Sequence, residues 1–275
     1  MKATYQQCAE VIASSEVMFI HSGAGIGVDS GLPDYRGNKG FWNCYPMYEK
    51  LGIDFVDAAN PYQFEKDPSF AWGFYGHRTN LYRETQPHRG FHLMQQWIEK
   101  YNQEYFIVTS NVDGHFQKAG FSDDKIYEIH GSINHLQCLT PCRDDIWENN
   151  ADFEIDFATM TNKQNPSCPH CGGTSRPNIL MFGDWSWISR RSSAQQKRLF
   201  DFDAVCCDKK TVVIEIGAGT AIPSIRSASW RRGSSGKATV IRINPREPQI
   251  SAPHISVACG GLEALEGIDD ALQKM

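Results

Sequence analysis

The sequence predicts an α/β fold, a mostly parallel sheet covered by helices on both faces, carrying a smaller second lobe. Six short β-branched or aromatic runs, each bounded by turn formers, recur along the 275 residues: Val17–Ile20, Tyr105–Thr109, Ile126–Ile129, Thr211–Ile216, Ala238–Ile243 and Ile255–Ala258. Stretches of helical periodicity, such as Phe91–Lys100, lie between several of them. Buried strands alternating with helices make parallel sheets. Two regions break the alternation: about Asn38 to His88 is aromatic-rich, and about Leu136 to Ser175 holds paired cysteines. We expect one domain spanning 1–275, with a large lobe from 1–37, 89–135 and 176–275. The small lobe takes 38–88, read as helical, and 136–175, which carries the cysteines.

Composition narrows the function classes. A chain 41% hydrophobic and 21% charged buries a sizeable core. The net charge of -5 gives no electrostatic reason to expect nucleic acid as the main partner. The one basic run, Trp230 to Lys237, reads as a solvated loop. The first apolar burst, Val17–Ile20, is too short for a signal or a membrane span, so a cytoplasmic protein without a membrane partner is expected.

Ligands of parallel α/β sheets sit beyond the carboxyl ends of the strands, so the residues after each run deserve the search. After the first run, Gly23, Gly25 and Gly27 allow close backbone approach, and a following helix N-terminus would present N–H groups to a pyrophosphate. The extension Gly31-Leu32-Pro33-Asp34-Tyr35-Arg36-Gly37 puts a carboxylate, a ring and a guanidinium on the same loop. After the second run, Asn111 and Asp113 alternate and suit ribose hydroxyls or a carboxamide, or Asp113 caps a helix. His130, after the third run and before a glycine, is a candidate general base, in competition with His115, His135 and His170. Gly217-Ala218-Gly219-Thr220 and Asn244 follow two later runs and would complete a dinucleotide cradle, Asn244 being available to the adenosine ribose.

Nine cysteines is an odd number, and four fall in two pairs: Cys138 and Cys142 as C-x3-C, Cys168 and Cys171 as C-x2-C. Four thiolates with no open position point to a structural zinc ion rather than a disulfide framework.

The order GAGIG…GLPDYRG, SNVDGHFQKAG, IHGS, two cysteine pairs, RPNILMFGD, IGAGT and INP resembles the sirtuin (Sir2) family of NAD-dependent protein deacylases, roughly from Val17 to Gly261. The resemblance implies a Rossmann-type domain, a zinc-ribbon plus helical small lobe, and a cleft between them for NAD and an acyl-lysine peptide. It implies that the acyl oxygen attacks the ribose carbon bearing nicotinamide. His130 would then act as base on a ribose hydroxyl, yielding free lysine and O-acyl-ADP-ribose. Asn111 and Asp113 would hold the nicotinamide end. Ala24, Asp34, Tyr35 and Arg36 would line the cofactor loop, and Gly217, Thr220 and Asn244 would take the adenosine side. Phe182 and Gly183 would pair with the substrate backbone as an added strand.

Tyr75 and Arg78 stand at the Y-x-x-R spacing of sirtuins that remove succinyl or malonyl groups, and a guanidinium can bind such a carboxylate bidentately. Ser110, Gly27 and Asp184 replace the family's usual glutamine, serine and glutamate. The departures leave two other readings beside deacylation. One is mono-ADP-ribosyl transfer or NAD cleavage on the same fold; the other is a non-catalytic NAD- or ADP-ribose-binding module.

Overall fold

The computed structural model describes residues 1–34 and 37–275. In chain order its strands are β1 (Val17–Ser22), β2 (Glu104–Thr109), β3 (Ile126–Glu128), β4 (Gly131–Cys138), β5 (Ile146–Glu148) and β6 (Ile155–Asp156). They continue with β7 (Thr161–Asn162), β8 (Ser175–Ile179), β9 (Thr211–Ile216), β10 (Ala238–Ile243) and β11 (Ile255–Val257).

The six runs read from the sequence become one six-stranded sheet, ordered β11-β10-β9-β1-β2-β3, with every pair parallel. Successive side chains of a strand point to opposite faces. Met18 and Ile20 therefore enter a core with Cys8, Phe91, Trp97 and Leu265, from the helices Lys2–Ala13, Arg89–Lys100 and Gly261–Leu272. Val17 and Phe19 enter another with Leu199, Cys206 and Ile225, from the helices Arg190–Cys206 and Ser224–Gly233. Apolar residues at both parities are what a sheet covered on both faces requires.

The register decides where the chemistry can lie. Ser22 is level with Thr109 and Ile216, and Ile216 with Ile243. Gly23, Ser110, Gly217 and Asn244 therefore all leave the sheet at one height. The chain enters at the sheet's middle, grows outward through β2 and β3, then returns to β9 and grows the other way. The reversal between β1 and β9 is the switch point at which such sheets bind ligands.

The aromatic-rich stretch folds into helices, the longest Pro68–Glu84. Phe41, Tyr48, Trp72 and Tyr75 form a third core with Leu136, Phe153 and Met181. The cysteine-bearing stretch holds more strand than its sequence suggests, since β4 pairs with β5 and β8, and β6 with β7, all antiparallel. The basic run is the expected exposed loop only in its second half, Ser234 to Lys237, while Trp230 to Gly233 end the helix Ser224–Gly233. Arg232 there pairs with Asp203 and lies over the Phe19 ring, 3.4 Å from its centroid. Its aliphatic stem and planar head cover apolar surface, and that packing makes the segment structural. Among the described residues no helix is long and apolar enough to cross a membrane.

Candidate active site

Two glycine turns meet at the switch point. A Cβ on Gly25 would lie 2.6 Å from Gly217 Cα, and one on Gly23 2.9 Å from Ala218 Cα. Gly217 itself has φ +67°. Side chains here would push the loops apart, so the glycines serve loop-to-loop contact as much as approach to a phosphate. Gly25 N–H donates to Gly217 O (3.0 Å), tying the two turns. The helix expected after Gly23 is a 3-10 helix, Ala24–Ser30.

Beside this junction opens a cavity of about 570 Å³. Gly23, Ala24, Asp34, Ser110, Asn111, Asp113, His130, Gly217 and Gly219 line it, as do Tyr75, Arg78 and Phe182. Residues from four strand ends and from the aromatic helices thus converge on one space. Gly25, Gly183, Thr220 and Asn244 do not line it. Tyr35 and Arg36 lie outside the described residues.

Hydrogen bonds explain several placements. The Asn111 amide donates to Gly23 O (3.3 Å), joining the second loop to the first. Asp113 Oδ1 accepts from His115 N–H (2.9 Å), so it also holds the start of the helix His115–Lys118. The Asn244 amide is 1% exposed and donates to Ala218 O (2.8 Å). Its Oδ1 accepts from the backbone N–H groups of Arg246 and Glu247. The amide thus braces the loop after β9 from behind. Thr220 bonds Glu247 through its backbone N–H and its hydroxyl.

Of the four histidines weighed in the sequence, His130 alone lines the cavity. Gly131 follows it with φ +80°, and a Cβ there would come 2.1 Å from Asn178 O, so only glycine lets the chain turn from β3 into β4. The His130 carbonyl accepts from Leu180 N–H (2.9 Å). Burial lowers the imidazole's pKa below the usual 6.5, while a hydrogen bond to the Ser110 carbonyl opposes the shift. His135 is driven further down, to about 4, by burial and by Arg191, and His170 pairs with Asp145 at 2.9 Å.

Arg78 is 7% exposed, and its Nε and Nη2 both donate to Tyr82 Oη (3.1 and 2.9 Å). The rings of Phe74, Tyr75 and Tyr82 surround the guanidinium at 5.1 to 5.6 Å. Tyr75, stacked on Phe64 and buried, has a phenol pushed up to about 12. Sequence reasoning paired Arg78 with Tyr75 and missed Tyr82. Tyr75 lies three residues before Arg78 and Tyr82 four after it, so both share its helix face and the spacing does not choose between them.

The segment after β8 is pinned from below. Asp184 accepts from Met181 N–H (3.2 Å) and Ser186 N–H (3.1 Å) and forms a fully buried ion pair with Arg176. Phe182 N–H donates to Ala59 O (3.0 Å). Trp185, directly after Asp184, is 99% exposed.

The four paired cysteines place their sulfurs within 4.8 Å of one another. Cys138–Cys171 and Cys142–Cys168 are each 3.7 Å apart. Zinc–sulfur bonds of about 2.3 Å in a tetrahedron imply sulfurs about 3.8 Å apart, so the set fits a zinc ion. Cys138 ends β4 and Ser175 opens β8, so that pairing draws the two knuckles together.

Comparison with known proteins agrees with this geometry. A family model described as the Sir2 family matches residues 23–207. An NAD-dependent protein deacetylase of Saccharolobus solfataricus is 34% identical over 182 residues, 66% of each chain. An NAD-dependent protein deacylase of Aeropyrum pernix is 27% identical over 251 residues, 91% of this chain and 89% of the relative. A crystal structure of a Sir2 homologue–NAD complex superposes with a TM-score of 0.75 at 23% identity, covering 98% of this chain and 94% of that one. With strand order, glycine junction and cysteine tetrad in place, the chain belongs to the Sir2 family.

Proposed function

We propose that the protein is an NAD-dependent protein-lysine deacylase that releases nicotinamide and O-acyl-ADP-ribose, with a preference for acidic acyl groups such as succinyl or malonyl. The observation that carries the reading is a single cavity shared by the glycine junction at the switch point, the His130 imidazole and the buried Arg78 guanidinium. In this reading the six-stranded unit forms one lobe, the aromatic helices and the cysteine-bearing stretch form the other, and substrate enters between them.

The residues divide the work as follows. Gly23, Ala24 and Gly217 take the pyrophosphate side of NAD, which supplies the electrophilic ribose carbon. Asn111 and Asp113 orient the nicotinamide end, and Asp34, together with Tyr35 and Arg36, closes the cofactor loop. Gly219, Thr220 and Asn244 shape the adenosine side, the last two through the loops they tie. His130 is neutral near pH 7 because burial disfavours its charged form. Its bond to the Ser110 carbonyl fixes which nitrogen bears the proton, leaving the other to accept one from a ribose hydroxyl. Phe182 and Gly183 meet the peptide backbone, and zinc on the four cysteines holds the β4–β8 end together. Among the described residues none of the nine cysteines is joined in a disulfide, which suits the reducing cytoplasm in which we place the enzyme.

Arg78 supports the acidic preference. A buried guanidinium among aromatic rings, its plane held by Tyr82, is preorganised for a carboxylate and a poor neighbour for a plain acetyl group.

The test is to incubate the protein with NAD and acetyl-, succinyl- or malonyl-lysine peptides, following nicotinamide release and peptide mass. Peptide-dependent release with loss of the acyl mass is expected, fastest for the acidic groups. Release without peptide, or a gain of ADP-ribose mass on protein, would replace deacylation with NAD cleavage or ADP-ribosyl transfer. No turnover of NAD would leave a binding module.

A further inference from the structure

The strand that delivers His130 is short and lies at the edge of the sheet. β3 has three residues, and among the described residues only β2 pairs with it in the sheet. An edge strand this short is held by few ladder bonds and is free to shift.

On its open side the helix Arg190–Cys206 supplies, from side chains, what a neighbouring strand would supply from its backbone. Glu128 N–H donates to Gln195 Oε1 (3.0 Å), and Gln195 Nε2 donates back to Glu128 Oε2 (3.1 Å). Ser192 Oγ donates to Glu128 O (3.0 Å), and Arg191 forms an ion pair with the same carboxylate. Backbone donor, backbone acceptor and side chain of one residue are therefore all gripped by the first two turns of one helix. On the inner side Glu128 is level with Thr109, and Ile129 N–H donates to Thr109 O (2.9 Å). Ser110, whose carbonyl receives the His130 ring, follows Thr109 directly and is tied through its own N–H to Ser22 O (3.0 Å).

Glu128 is 1% exposed, and its Oε1 has no hydrogen-bond partner among the described residues. A buried, incompletely bonded carboxylate is a weak source of stability; an apolar side chain of similar volume commonly does as well or better. What the carboxylate and the Gln195 amide add is a fixed position for the end of β3.

We infer that Glu128 and Gln195 are positioning residues for the general base. They lock the end of β3 so that His130 keeps one nitrogen on the Ser110 carbonyl and turns the other toward the ribose. The inference rests on the reading of His130 as the base. A base on the ribose hydroxyl is needed only after nicotinamide has left, so a loosened clamp slows the second step and spares the first.

The test uses the full chain and the variants Gln195→Leu and Glu128→Gln. Exchange of labelled nicotinamide into NAD reads the first step, peptide deacylation reads the whole reaction, and imidazole nitrogen NMR reads the tautomer of His130. Gln195→Leu is expected to lower deacylation kcat about tenfold, with exchange and both KM values within about twofold. Its His130 ring should populate both tautomers where the parent protein populates one. Glu128→Gln keeps an oxygen for Gln195 and is expected to retain most of the rate. An equal fall in both steps, unchanged deacylation, or a single tautomer in Gln195→Leu would overturn the inference. If Gln195→Leu fails to fold by circular dichroism, Ser192→Ala removes one bond of the same clamp, and a selective loss of the second step is expected there too. Absence of peptide-dependent nicotinamide release in the parent protein would remove the assignment of the base, and the imidazole spectra would still decide the clamp.

Discussion

Two opposing influences act on the His130 imidazole, burial lowering its pKa and the Ser110 carbonyl raising it, and burial is the larger. A base works only when deprotonated, so its contribution is complete above the pKa and falls as pH drops through it. The acid limb of deacylation kcat is therefore expected below pH 6.5, and a pH–rate profile whose limb is centred above 6.5 would contradict the assignment. His130→Ala should abolish deacylation and leave NAD affinity, measured by calorimetry, nearly unchanged. For the acyl group, Arg78→Met should slow succinyl removal at least about tenfold more than acetyl removal, in line with the loss of a charge-assisted hydrogen bond. Equal losses on the two substrates would remove the acidic pocket. At this scale the sequence was partly readable. His130, Asn111 and Asp113 could be found because each lies within four residues of the end of a β run. The partner of Arg78 could not, because positions three and four apart on a helix both touch, and only packing chooses Tyr82. Asn244 was visible as a polar strand end, but nothing in the sequence separates an amide facing a ligand from one bracing a loop.

The elements that make the site are its turns. Gly25 and Gly217 touch backbone to backbone, and Gly25→Ala would set a methyl 2.6 Å from Gly217 Cα. We expect that variant to lose about 1–3 kcal/mol in denaturant unfolding, the usual effect of overpacking, and to bind NAD more weakly. An unchanged midpoint would show that the two turns are not in contact in solution. The cysteine knuckles make a second unit. Elemental analysis should find about one zinc per chain, and a strong chelator should lower Tm, since a structural ion stabilises only the folded state. The thiolate spacing was legible in the sequence because a ligand set leaves a local signature. The pairing of β4 with β8 was not, because 25 residues separate the two cysteine pairs and pairing at that range has no local signal.

Over the whole molecule, burial lowers the pKa of six of the nine histidines: His21, His77, His88, His115, His130 and His135. A histidine whose folded pKa lies below its unfolded value near 6.5 contributes stability that is complete above 6.5 and is lost as pH falls toward the folded value. Tm is accordingly expected to hold between pH 7 and 8 and to fall steeply from 6.5 toward 4. A flat profile over that window would show these rings to be solvated. The fold itself was the most legible level of all, because six apolar runs with helices between them leave few topologies open. The direction in which the sheet grows from β1 was not written in those runs, since it depends on which edges the later strands find.

One consequence follows from the level endings of β1, β2, β9 and β10. A residue added inside any one of them would carry its last position about 3.3 Å past its neighbours and exchange the two faces of that strand. A residue added at the exposed bend around Ser235 would disturb neither. Insertion scanning should therefore reveal a sharp contrast, with the ruler-like strands intolerant of any change in count and the far-side connections indifferent to it. Evolution of new acyl preferences on this frame is correspondingly free to vary the connections, while the lengths of the strands stay put.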